Sequence, residues 1–182
     1  MEFQKYKEFL IRNLKLNELS DWFDFLSYEI FQNDSREIIE GMWNNDIEKN
    51  INGIFVALNN DQKIISSVKA ESRNIKLCNN LIFAGIISGV GTKKEFRGQG
   101  INRHLFKILH NYLKDRGVSI SHLYSKPDTF EYYKHLGYLN SKKHEDESFY
   151  RMFYVIQPFT INNVKITNTK ELIDILDKED KH

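Results

Sequence analysis

Gly89-Val90-Gly91-Thr92-Lys93-Lys94-Glu95-Phe96-Arg97-Gly98-Gln99-Gly100-Ile101-Asn102 is the stretch on which the fold of this chain turns. An apolar run from Leu81 to Thr92 ends there, the chain turns, and glycines fall in the first turn of a helix that continues to about Arg116. A helix start leaves backbone N–H groups without partners and carries a partial positive charge. Glycines at that point let an anion approach the backbone, so the turn predicts a diphosphate cradle. An isolated G-x-G also occurs as a tight turn whose glycines only relieve sterics. Neither the Lys-Ser/Thr of a P-loop nor a full G-x-G-x-x-G follows here.

The strand leading into the turn carries Gly85, Gly89 and Gly91 at one parity, so in a regular strand one face is bare except for Ile87. A bare face suits a thin, extended ligand with a diphosphate at one end. Close packing of a helix against the sheet, or a bulge, would also call for glycine. Apolar residues at both parities from Leu81 to Thr92 predict a central strand covered on both sides. The helix after the turn places Ile101, Leu105, Ile108, Leu109, Tyr112 and Leu113 on one face and stops at Gly117. Val118 to Tyr124 returns as a strand, which makes the unit a right-handed parallel crossover.

Upstream, Glu8 to Lys15 reads as a strand, and Asn17 to Phe31 as a helix with Leu19, Trp22, Phe23, Leu26 and Ile30 on its buried face. Asn33-Asp34-Ser35 is a break with capping residues before a second helix through Ile38, Ile39, Met42, Trp43 and Ile47. Gly53 to Leu58 and Lys63 to Asn74 are strands about a polar turn, antiparallel by their short connection, and Lys76 to Asn80 turns into the central strand. Downstream, Pro127-Asp128-Thr129 opens a short helix, with Glu131 spaced as in a capping box, that ends at Gly137. Strands follow over Tyr138 to Lys143, Phe149 to Ile156 and Phe159 to Ile166, then a helix over Lys170 to Leu176 capped by Asn168 or Thr169. The tail Asp177 to His182 reads as frayed. This order predicts an α/β protein, a mixed central sheet with helices on both faces.

The 182 residues suit one domain, 1–182, and no linker, repeat or low-complexity block divides them. With 26 basic against 25 acidic residues, bulk charge gives no reason to expect a nucleic-acid or membrane partner. The single Cys78 excludes an intramolecular disulfide and leaves no soft-ligand cluster for a metal. Met1 to Lys7 lead into no signal-type apolar core, and Leu81 to Val90 is too short to span a bilayer, so a soluble cytoplasmic protein is expected.

Val90-Gly91-Thr92, four residues, then Arg97-Gly98-Gln99-Gly100 at a helix start resembles the coenzyme A motif of the GNAT acetyltransferase superfamily. Tyr132-Tyr133-Lys134-His135-Leu136-Gly137-Tyr138, after the next strand, resembles that family's second signature. The resemblance covers about Gly53 to Phe153, with 157–178 as a C-terminal extension. The runs Gly89 to Thr92 and Arg97 to Arg103, with Leu123-Tyr124, are similar to the enhanced-intracellular-survival type. That type continues through a second acetyltransferase-like region into a sterol-carrier-like domain, and nothing of those parts carries over to these 182 residues.

The resemblance implies an enzyme of the GNAT fold that moves the acetyl group of acetyl-CoA directly to a primary amine of a small molecule or protein, with no metal. A non-catalytic acyl-CoA-binding module is the alternative. It implies backbone contacts to pantetheine from Ser88, Val90 and Thr92, and a diphosphate cradle of Arg97, Gly98, Gln99, Gly100, Ile101 and Asn102. Arg103 and Lys107 lie just beyond, where they could meet the ribose phosphate, Lys107 reading first as solvated surface charge. Asn102 stands where the family pattern usually has Gly or Ala.

Tyr133 aligns with the tyrosine that protonates the leaving thiolate, the alternative being one more core aromatic on the Phe130 stripe; Tyr132 reads as packing. The general base is open between Glu29, Asp34 and Glu37, around the helix break that lines the acceptor side in the family, and His122. Cys78 lacks an activating base in sequence. Exposed strand edges after Gly137 leave room for a homodimer.

Overall fold

Five consecutive apolar residues, Ile54 to Leu58, are all buried in one strand of the computed structural model, which describes residues 4–31, 34–145 and 148–178. In chain order the elements are β1 (Gln4–Tyr6), β2 (Phe9–Asn13), α1 (Leu19–Glu29), α2 (Arg36–Asn45), β3 (Ile54–Leu58), β4 (Ile64–Leu77) and β5 (Asn80–Thr92). They continue with α3 (Ile101–Asp115), β6 (Ile120–Ser125), α4 (Phe130–His135), β7 (Leu139–Glu145), β8 (Tyr150–Val155), β9 (Phe159–Ile161), β10 (Val164–Ile166) and α5 (Thr169–Leu176). Eight strands hydrogen-bond in the order β1-β2-β3-β4-β5-β6-β8-β7, a large mixed sheet flanked by helices. The fold class is the mixed α/β one expected. β5 and β6 pair in parallel, Ala84 opposite Ile120, as a strand–helix–strand crossover requires. Of the sequence features named above, residues 1–3, Asn33 and residues 179–182 lie outside the described residues.

The chain divides into two compact units, one of Met1–Glu71 with Ile87–Leu109, the other of Ser72–Ile86 with His110–His182. β4, β5 and α3 contribute to both.

In the first unit α1 buries Trp22, Phe23, Phe25 and Leu26 with Leu14, Ile54, Val56, Leu58 and Ile64. α2 is a more lightly held helix. Only Ile39 and Trp43 are buried, while Ile38, Met42 and Ile47, grouped with them by the sequence pattern, are exposed. Ile47 lies beyond the helix end at Asn45. Arg12 is buried in this unit because its guanidinium makes a bidentate pair with Glu18, at 2.7 and 2.6 Å. That hydrogen bond to Arg12 is the main cause holding the Glu18 carboxyl below its ordinary range.

β5 departs from a regular strand. Gly89 has φ +57°, a left-handed residue inside the strand, and the alternation of faces is interrupted there. The predicted bare face does not exist. A Cβ on Gly91 would stand 2.6 Å from Ile30 Cγ1 of the α1 C-cap, and one on Gly85 would stand 2.7 Å from Leu113 Cδ1 of α3. These glycines make room for helices packed on the strand. Nor is β5 covered on both sides throughout, since Leu81 and Phe83 near its start are exposed.

In the second unit Leu77, Ile82, Ala84, Ile120, Phe153, Val155, Ile161, Ile166, Leu172 and Leu176 form the core. Phe159 to Ile166, expected as one strand, is a hairpin of β9 and β10, because Asn162 and Asn163 both take positive φ, 48° and 63°. Asn168 caps α5, accepting from Glu171 N at 3.1 Å. The capping box expected at Asp128 and Glu131 does not form. Pro127–Thr129 is a 3₁₀ turn, Thr129 makes no side-chain cap bond, and Glu131 pairs with Lys134.

Candidate functional site

The loop between β5 and α3 belongs to the first unit. Gly98 and Gly100 have φ of +75° and +79°, values that side chains with a Cβ rarely adopt, and this fixes glycine at both positions. A Cβ at Gly98 would meet nothing within 4 Å. Sterics therefore do not explain that glycine, and backbone conformation does. Thr92 and Arg97 tie the loop shut, the Arg97 Nε donating to the Thr92 carbonyl at 3.0 Å. α3 starts at Ile101, and His104 N donates to Gly100 O at 3.1 Å as its first helical bond. The N–H groups of Ile101, Asn102 and Arg103 precede it and have no intrahelical carbonyl to meet. They carry the positive end of a 15-residue helix. Arg97, Gly98, Gly100 and Arg103 are exposed, and Gln99, Ile101 and Asn102 lie between them in the chain.

Polar side chains lock the loop to the strand end. The Ser66 hydroxyl donates to Gly91 O at 2.8 Å and lies 2.8 Å from Thr92 Oγ1. Ser67 Oγ donates to Gly89 O at 2.6 Å, next to Ser88 and Val90. Asn102 Nδ2 reaches Ser66 Oγ, Ser67 O and Gly91 O at 3.3–3.4 Å. The side chain that departs from the family pattern is thus turned to the sheet, as a latch between α3 and the strands, and leaves any ligand contact there to its backbone.

Two residues that the sequence did not single out also meet the loop: Tyr6 Oη and Lys7 Nζ both donate to Gln99 O, at 3.3 and 3.0 Å. Tyr6 stacks on His104 at 4.5 Å. These partners stand 92 and 93 positions apart in the chain, and no local pattern signals them.

Among the proposed proton-transfer residues, Glu29 is half-buried at the end of α1, and Asp34 and Glu37 are exposed around the start of α2. The Glu37 carboxyl is held below its ordinary range, chiefly by its own backbone N–H and by the Ser35 hydroxyl, which weakens it as a base.

The second unit holds Tyr133 and His122. Tyr133, on α4, is buried, with Tyr132 and Tyr138 set edge-on to its ring at 5.3 and 6.2 Å. Burial raises its phenol pKa well above the ordinary value, so the group holds its proton at every working pH. Tyr138 is fully buried; its hydroxyl lies 2.7 Å from Ser121 Oγ and 2.9 Å from His110 Nε2. His110 stacks on Tyr154 at 4.4 Å. Burial lowers the His110 pKa to about 4. His122, on β6, is buried against Tyr124 and Phe153, its Nδ1 without a hydrogen-bond partner. Burial and then the Arg151 charge bring its pKa to about 4, so it is neutral at pH 7 and a weak proton acceptor.

A further charged pair was missed. Lys69 and Glu71 of β4 form an ion pair whose side chains are only 12% and 11% exposed. Lys69 Nζ lies 5.0 Å from the centre of the Trp43 ring. The available signal was the alternation of Val68-Lys69-Ala70-Glu71, which puts both charges at one parity of the strand. Among the described residues no three His, Cys, Asp or Glu side chains gather as a metal site, and no helix is long and apolar enough to cross a membrane.

A family model for an acetyltransferase (GNAT) domain matches residues 10–139. No curated protein matches the chain. Among solved structures, a proposed acetyltransferase from Pyrococcus horikoshii is similar with TM-score 0.62 and 17% identity over 78% of this chain and 47% of that one. A conserved protein of unknown function from Enterococcus faecalis V583 is similar with TM-score 0.59 and 20% identity over 73% of this chain and 33% of that one. This chain thus spans about half the length of the first and a third of the second. A GNAT family N-acetyltransferase from Escherichia coli, solved in complex with CoA, is similar with TM-score 0.66 and 13% identity over 86% of each chain. At these identities the likeness is one of fold.

Proposed function

The chain belongs to the GNAT acetyltransferase family, and on that premise we propose that it transfers the acetyl group of acetyl-CoA directly to a primary amine of a small molecule or protein. The observation that carries the reading is the loop at the start of α3, with Gly98 and Gly100 held left-handed and open space where a Cβ would sit on Gly98. Such a loop offers consecutive backbone donors and a helix N-terminus to a diphosphate. Arg97 and Arg103, both exposed beside it, add positive charge. The E. coli protein of the same fold was solved with CoA. Within the family we infer kinship to the enhanced-intracellular-survival type, supported by the runs Gly89 to Thr92 and Arg97 to Arg103.

In this reading Ser88, Val90 and Thr92 hold pantetheine through their backbone, and residues 97–102 hold the diphosphate. The neutral amine nitrogen attacks the thioester carbonyl, the C–S bond breaks with its electron pair on sulfur, Tyr133 gives the thiolate its proton, and the proton shed by the nitrogen passes to solvent, from which the phenolate is reprotonated. Burial keeps the resting phenol protonated, so it enters that step with a proton to give. The test is CoA release from acetyl-CoA across a panel of primary amines. Turnover by the wild type that falls in Tyr133→Phe supports the reading. Binding of acetyl-CoA with no turnover on any amine contradicts it and leaves an acyl-CoA-binding module.

A further inference from the structure

Ion pairs largely covered from water contribute little to stability compared with apolar packing of the same volume, so a charged pair on a mostly covered strand face calls for a use. Lys69 and Glu71 are such a pair, two residues apart on one strand and therefore on one side of it. The Lys69 ammonium is held by a carboxylate and by the face of Trp43. These are the two groups from which recognition sites for alkylammonium ions are made. Trp22 closes the same corner, set edge-on to Trp43 at 5.9 Å. Its indole Nε1–H is buried with no hydrogen-bond partner, although the residue is only 2% exposed. The corner adjoins β5 at its irregular residue: a Cβ on Gly89 would lie 3.4 Å from Trp22 Cζ2 and 3.6 Å from Lys69 Cβ. Gly89 sits between Ser88 and Val90, whose backbone the proposed function gives to pantetheine.

We propose that Glu71, Trp43 and Trp22 form the acceptor's ammonium subsite, and that Lys69 occupies it in the free protein as a built-in alkylammonium. An acceptor bearing a primary alkylammonium group, as a free diamine or a lysine side chain does, displaces the Lys69 head and takes its place on Glu71 and Trp43. One like charge replaces another, so the largely covered carboxylate keeps a cation beside it. The exchange also selects for the acceptor class, because a neutral or anionic group gains nothing from Glu71. This inference rests on the acetyl-transfer reading for its function, but its site is testable without turnover.

Trp22 and Trp43 are the chain's two tryptophans, so tryptophan emission reports on this corner alone. The experiment titrates n-butylamine, 1,4-diaminobutane and a short lysine-containing peptide into the wild type, Lys69→Met and Glu71→Gln, following that emission. Acetyl-CoA binding is measured in parallel. The expected result is a saturable change in the wild type with at least one probe, the responding probe telling a free amine from a peptide lysine. Lys69→Met, which keeps the volume and removes the competing charge, should respond at lower amine concentration. Glu71→Gln should require about 10- to 100-fold more amine, as for loss of a charged hydrogen-bond partner.

A wild type silent to every probe overturns the proposal, even if Lys69→Met responds, because the lysine then owns the site permanently. A Glu71→Gln response equal to that of the wild type overturns it too. Should acetyl-CoA fail to bind while the amine titration behaves as expected, the acetyl-transfer reading falls and the ammonium subsite stands.

Discussion

The loop opening α3 and the aromatic cluster around Tyr138 are built on opposite principles. In the loop, the proposed function rests on the backbone: two left-handed glycines, open space at Gly98, and donors at a helix start. In the cluster, it resides in buried side chains whose protons are already placed. Tyr138 is bound to Ser121 and His110, Tyr133 stays protonated, and His110 and His122 stay neutral. An anion is held by dipoles that need no titration, whereas a proton donor needs a low-dielectric setting that fixes its state. Damage to the loop should therefore appear in affinity, and damage to the cluster in rate or in pH dependence.

The largest effect is expected in the cluster. Tyr133→Phe should lower kcat by about 10²–10⁴-fold, the range for loss of a general acid, while the Kd for acetyl-CoA measured by titration stays within about twofold. An equal loss in kcat and affinity would erase the contrast between the two regions. Next comes pH. His110 and His122 have folded pKa values of about 4, below the ordinary 6.5, so below pH 6.5 the unfolded chain binds more protons than the folded one. Their contribution is complete above pH 6.5 and is lost as pH falls toward 4. At 1.36 kcal/mol per unit this amounts to about 3 kcal/mol for each group, read from urea midpoints across that window. A flat stability profile from pH 6.5 to 4 would contradict the burial of both rings.

A smaller effect separates glycines that look alike in sequence. Gly91→Ala sets a methyl 2.6 Å from Ile30 and should cost about 1–3 kcal/mol of stability, as overpacking does. Gly98→Ala meets no atom and should cost only the strain of a positive φ, on the order of 1 kcal/mol. Equal losses in thermal melts would remove the distinction between packing and conformation. The smallest effect tests the absent capping box. Glu131→Ala should change stability by about 0.2–0.5 kcal/mol, the size of a surface i,i+3 pair, and a loss of about 1 kcal/mol or more would mean that Glu131 caps after all.

Much of the architecture was legible because it is local. The apolar spacing of Ile101, Leu105, Leu109 and Leu113 gave the buried face of α3, Gly117 its end, and Gly98 and Gly100 the loop. Asn162-Asn163 was a hairpin signal read as strand, and there the turn chemistry was present and passed over. The remainder was out of reach for a physical reason. That Gly91 faces Ile30, that Asn102 latches onto Ser67, and that Lys69 lies over Trp43 all depend on which distant elements meet. The parity argument for β5 failed at Gly89, because one left-handed residue breaks the alternation it assumed.

The central claim is that the loop from Arg97 to Asn102 binds the diphosphate of acetyl-CoA. Calorimetric titration of acetyl-CoA into the wild type and Gly100→Trp tests it most directly, with melting curves of both proteins to show that each is folded. The account predicts saturable binding to the wild type, with a rise in melting temperature on adding ligand, and no binding to a folded Gly100→Trp. No binding to the wild type, or equal affinity in the two proteins, would contradict it.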